Sequence, residues 1–145
     1  MKKILIFSLL TTVFFWGACN KNDSASKVKE SKTDERAVLR KEVMDIHDYA
    51  MAKLGMLTEM ELKITEAVDS TSQEELQEAT VNIRALRQAD EDMMDWMRQY
   101  KDPLETTALD SVKRYFDEQK ISIQKVKEDT DNSLEQAKSF LKKIN

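Results

Sequence analysis

Glycine and proline punctuate folded chains, and this chain nearly lacks both. Its 145 residues contain two glycines and one proline. Turns that need a left-handed residue, and segments that stop at proline, are therefore scarce. Gly17 falls in an apolar N-terminal segment, which leaves Gly55 and Pro103 for everything after it. Charged residues make up 34% of the chain, and Ala, Glu, Lys, Leu, Gln and Met are abundant. That combination predicts an all-α fold. No alternation of apolar and polar residues is backed by turn dipeptides, so no sheet is expected.

Three long helices follow from the periodicity. The first is expected from about Asp34 to Val68, with an inward stripe of Leu39, Val43, Ile46, Ala50, Leu54, Leu57, Ile64 and Val68 in steps of three and four. The polar run Asp69-Ser70-Thr71-Ser72 ends it. Ser72 and Glu75 have capping-box spacing and open the second helix, whose stripe is Leu76, Ala79, Ile83, Leu86, Asp90, Met93, Met94 and Met97. It is expected to stop near Tyr100. Asp102-Pro103-Leu104-Glu105 then looks like a third helix start, with Asp102 as cap and Pro103 in the first turn. Its stripe is Leu109, Val112, Phe116, Ile123, Val126, Leu134, Ala137, Leu141 and Ile144. Ser133 with Gln136 could instead open a short fourth helix at the C-terminus. Short connections make neighbours antiparallel, so the expected architecture is an up-down-up three-helix bundle. A third helix longer than the second would overhang it and expose Leu134, Phe140, Leu141 and Ile144 as a contact surface.

The N-terminus carries a different signal. Lys2 and Lys3 precede an apolar run from Ile4 to Trp16, and Gly17-Ala18 lead into Cys19, the only cysteine. The run is too short to span a bilayer core of ~30 Å but suits a signal peptide. Small residues before a single cysteine resemble a bacterial lipoprotein signal, with Trp16 where such signals usually carry Leu. That resemblance implies cleavage after Ala18 and diacylglycerol on the Cys19 thiol. It would also explain one unpaired cysteine in an oxidising compartment. Residues 1–18 then form the signal and 19–33 the lipidated cysteine with a flexible, polar tether reaching on the order of 20 Å. Residues 34–145 form the helical domain.

Charge and motifs narrow the function classes. The net charge is −4, and losing Lys2 and Lys3 with the signal takes it to −6. An acidic chain without a basic patch argues against nucleic acid as a partner. Glycine-rich phosphate loops, paired-cysteine metal sites and His-Glu-x-x-His are all absent, and His47 is the only histidine. No enzyme is expected. Most carboxylates fit solvated faces with partners one turn away, such as Glu59 with Lys63.

Methionine is the unusual element. Met44, His47 and Met51 share one helical face, and Met93, Trp96 and Met97 another. A hairpin turning near residue 70 would bring His47 level with Met93, Met51 level with Ala89 and Asp90, and Met44 level with Trp96 and Met97. Thioethers and an imidazole suit copper(I), Trp96 could add a cation–π contact, and Asp90 could orient the imidazole. The alternative is plain packing, with methionine as an adaptable filler against Trp96. No cofactor is required by the second reading.

Met44-Asp45-Ile46-His47-Asp48-Tyr49-Ala50-Met51, Leu54-Gly55 and the run from Ala89 to Met97 with Tyr100 are similar to a family of short Bacteroidota lipoproteins. Its members often carry the label "viral A-type inclusion protein". The resemblance covers the signal and the first two helices and implies a small helical lipoprotein, with no activity, substrate or cofactor attached. In such chains a proline is expected shortly after His47-Asp48. Here Tyr49-Ala50-Met51-Ala52 follows, which predicts an unbroken helix. Taken together, these features predict an envelope lipoprotein of the outer membrane, periplasmic or surface-facing, held by its lipid. Its bundle would contact an unknown protein partner or itself. A copper(I)-binding periplasmic protein is the alternative.

Overall fold

The computed structural model describes residues 22–68 and 72–144. Those residues form helices and short connections with no strand among them, and the helices are packed into one apolar core. Helix α1 spans Asn22–Met51, α2 Leu54–Ala67, α3 Gln73–Gln99 and α4 Leu109–Ile144. α4 is the common neighbour: α1, α2 and α3 all pack against it, and α2 also packs against α3. The signal segment, Cys19 and residues 69–71 lie outside the described residues.

The core follows the predicted stripes closely. Val43, Ala50, Leu54, Leu57 and Ile64 are buried on α1 and α2, Ala79, Leu86 and Met93 on α3, and Val112, Phe116, Ile123 and Val126 on α4. Leu76 is the exception on α3 and faces solvent. The α3 capping box forms as its spacing predicts. The Glu75 amide donates to Ser72 Oγ at 3.3 Å, and the Ser72 amide donates to Glu75 Oε2 at 2.8 Å. Arg98 in the last turn of α3, and Lys142 with Lys143 in that of α4, sit where helix dipoles favour cations.

Five expectations are corrected. The chain is already helical at Asn22, the first described residue, so the stretch expected to be a flexible tether is helical over its described residues. It has no Gly or Pro and holds good helix formers, and extending an existing helix needs no new nucleus. Second, the long first helix is broken at Ala52–Lys53 despite the missing proline. The Lys53 amide donates to the Ala50 carbonyl and the Met56 amide to the Lys53 carbonyl, both at 2.9 Å, so the ladder tightens to three-residue spacing there. Gly55, a weak helix former, sits just past the break, and Lys53 is drawn across to Asp131 on α4.

Third, Asp102 caps no helix. Residues 101–108 are a connection, closed by the Thr107 amide on the Leu104 carbonyl at 2.9 Å, and α4 starts at Leu109. Asp102 is instead taken by Arg40, whose Nε donates to Oδ1 at 2.9 Å, and by the Tyr100 hydroxyl at 2.9 Å. Fourth, α4 runs unbroken to Ile144, so no separate C-terminal helix exists over 133–144. Ser133 is buried and bonds back to the Thr130 carbonyl at 3.0 Å, while Thr130 bonds back to Val126 at 2.9 Å. These hydroxyls satisfy themselves within the helix and cap nothing. Fifth, Leu134 and Phe140 are buried, at 4% and 2% exposure, rather than overhanging.

Candidate functional site

α1 carries Met44, His47 and Met51 at relative positions −3, 0 and +4, which places all three on one face. α3 carries Met93, Trp96 and Met97, and Tyr100 follows as its C-cap, stacked on the Trp96 indole. Met93 is fully buried and Trp96 nearly so, at 6% exposure. Met44, Met51 and Met97 are partly buried and pack against the same core. The imidazole of His47 lies 5.4 Å from the Trp96 ring, centroid to centroid, at a tilt of 33°. His47 therefore faces Trp96, three residues beyond the Met93 expected for a symmetric turn.

That shift changes the carboxylate as well. His47 Nδ1 lies 2.9 Å from Oδ1 of Asp48, its own neighbour in α1, in place of the expected Asp90. With Nδ1 engaged, Nε2 is the ring nitrogen left for another group.

An array of rings continues from this point and was not visible in the sequence. Trp96 stacks on Tyr100 at 4.9 Å, Tyr100 lies 6.2 Å from Tyr115, and Tyr115 meets Phe116 edge-on at 5.5 Å. Trp96 and Tyr100 are one turn apart, so that pair could have been found by spacing. Tyr115 lies beyond the 101–108 connection, and only the fold brings it in. Its hydroxyl accepts from the Lys101 amide at 2.9 Å. Burial, and then the hydrogen bond to Asp102 with its charge, push the Tyr100 hydroxyl well above the usual phenol range. The Trp96 Nε1 is buried without a hydrogen-bond partner, so ring packing alone holds the indole.

Of several grooves among the described residues, one is lined by Trp96 with Asp95, Gln99 and Gln119, and two more lie elsewhere. One of about 190 Å³ is lined by Arg36, Ala37, Arg40, Pro103, Val112 and Phe116 beside the connection. Arg40 there is committed to Asp102, and Arg36 to the Leu104 and Thr107 carbonyls. The other, about 370 Å³, is polar and lies between α3 and α4, with Gln88, Asp92, Lys125, Asp129 and Asn132 on its walls. Neither is lined by His47 or a methionine. Among the described residues no three His, Cys, Asp or Glu side chains gather as a metal site, and no helix is long and apolar enough to cross a membrane.

A second polar cluster sits at the α1–α2 break. Asp131 on α4 accepts from Lys53 and, at 2.9 Å, from Lys127, while both ammonium groups lie over the Tyr49 ring, at 4.1 and 4.6 Å from its centroid. Burial would raise the Asp131 carboxyl, but hydrogen bonds from Lys53 and Lys127 and their charges outweigh it and hold the group low. Sequence reasoning missed this cluster because its members lie 78 residues apart.

Compared with known proteins, the chain matches no family model, no curated protein and no solved structure. What the site can do rests on its own chemistry.

Proposed function

We propose that this chain is an envelope lipoprotein, anchored through Cys19, whose helical domain has a non-catalytic structural or protein-binding role. The observation that carries this reading is the N-terminal pattern: Lys2-Lys3, the apolar run from Ile4 to Trp16, then Gly17-Ala18-Cys19. Two or three acyl chains, at ~0.8 kcal/mol per buried methylene, would hold it on a membrane almost permanently.

Within this reading the domain is an up-down-up bundle in which α1 and α2 share one arm. The ion pairs support that arrangement. Glu35–Lys113, Glu42–Lys120 and Lys53–Asp131 all join residues 78 apart, as neighbours running the same way would. On α3 the order reverses: Glu78 pairs with Lys143, near the end of α4, while Gln99 and Gln119 border one groove. By the same separation, the α1 residues ahead of number 31 run past Leu109, the first residue of α4. Some nine helical residues, about 14 Å at 1.5 Å each, then form a stalk between anchor and body in place of a loose tether.

Many of the described carboxylates form ion pairs on solvated faces, such as Glu59 with Lys63 and Asp129 with Lys125, and a protein partner or a second copy fits such a surface better than a substrate does. Fractionation tests the anchor. Wild-type chain expressed in an envelope with a lipoprotein pathway should pellet with membranes and incorporate a palmitate label. Cys19→Ser should lose the label and leave the membrane fraction. A labelled, membrane-bound Cys19→Ser chain would overturn the reading.

A further inference from the structure

We propose that the seam between α1 and α3 at His47 is a binding site for a soft monovalent cation, copper(I) by its chemistry. Its ligands are His47 Nε2 and the thioethers of Met44 and Met51, with the Trp96 indole across the seam. This inference is independent of how the chain is anchored.

The two helices that form the seam pack mainly on α4 and only weakly on each other. Across the seam the imidazole of His47 meets the indole of Trp96 at 5.4 Å between centroids, and Met44 and Met51 share His47's face of α1. Met44 and Met51 are about 10 Å apart along the helix axis with His47 between them, a span two thioether arms can close onto one point. Both are partly buried and packed against the core, so neither side chain is fully sealed from solvent.

The imidazole is prepared in the way ligand histidines usually are. Asp48 engages Nδ1 at 2.9 Å, which fixes the ring and leaves Nε2 as the nitrogen for an ion. The side chain of His47 is only 14% exposed. Trp96 lies against the imidazole, with ring centroids 5.4 Å apart and a tilt of 33°, so an ion held on His47 would have an aromatic ring as neighbour. Its unpartnered Nε1 leaves the indole positioned by stacking on Tyr100, not by a polar tie.

The donor set decides the ion. Two thioethers and one imidazole are soft to borderline ligands and favour copper(I) over calcium, magnesium or manganese. Zinc prefers thiolates, imidazoles and carboxylates in fours, and no such group gathers among the described residues. A thioether site needs no thiol, so it withstands an oxidising compartment.

The test uses the full chain carrying Trp16→Phe and Cys19→Ser, so that Trp96 is the only indole and no thiol competes. Copper(I) is titrated anaerobically against a chromophoric chelator while Trp96 emission is followed. One equivalent should leave the chelator and quench Trp96 severalfold. His47→Ala, and separately Met44→Leu with Met51→Leu, should each weaken binding at least tenfold. The leucine pair keeps apolar volume, and an unchanged thermal midpoint shows that its fold is intact. Zinc in the same assay should leave Trp96 emission unchanged. No withdrawal of copper(I) from the chelator, or affinity unaltered in a folded leucine variant, would overturn the proposal.

Discussion

Asp131 holds two lysines at once. It ties Lys53, at the break between α1 and α2, to Lys127 on its own helix, and its carboxyl is held below its ordinary 3.8. A lowered carboxyl contributes stability that is present above 3.8 and lost as the pH falls through the lower, folded value. Lys53 and Lys127 are raised from 10.5, chiefly by their hydrogen bonds to Asp131, so their share is present below 10.5 and lost as the pH rises through the higher folded values. Asp131→Asn should therefore cost about 1 kcal/mol at neutral pH, the upper end for partly exposed pairs. In urea melts the gap between wild type and variant should be flat through neutrality and close in acid. A gap that persists unchanged at pH 2 would show that lost packing, not charge, is responsible.

Among the helices, the break at Ala52–Lys53 best shows what could be read in advance. The stripes of Val43, Ala50, Leu54, Leu57 and Ile64 were legible because they continue across the break in steps of three and four. The break itself was not, because it depends on Lys53 reaching a carboxylate far along the chain. Asp102-Pro103 failed for a related reason. Its local capping chemistry is sound, but Arg40 and Tyr100 compete for the same carboxylate and win it. Ser72 with Glu75 has no such rival, and its box formed. His47 and Trp96 were correctly placed on facing helices, yet the exact partner depended on a turn whose residues 69–71 are outside the described set. Gly55 offers a test at this scale. It lies inside α2, and a Cβ added there would meet nothing within 4 Å. Gly55→Ala should stabilise the chain by about 0.5–1 kcal/mol through helix propensity and a less free unfolded chain. Thermal melts would check this, and destabilisation would mean the break needs glycine's freedom.

For the molecule as a whole, α4 is the spine on which the other helices converge, and the C-terminal half of α4 belongs to the core. Phe140 is buried against α3 near Asn82 and Glu78, so Phe140→Ala should cost about 3–5 kcal/mol, measurable by chemical denaturation. A loss under about 1 kcal/mol would mean that this end frays in solution. The same integrity of the C-terminal end argues that any contact surface lies on the flanks or on the α1 stalk, not at an exposed apolar tail. Ahead of that proposed stalk lies the proposed anchor at Cys19. The most direct measurement is mass spectrometry of the N-terminal peptide from protein purified out of native membranes. The anchored bundle predicts a chain that begins at Cys19 and carries diacylglycerol on its sulfur. An intact Ala18–Cys19 bond with a free thiol would contradict it.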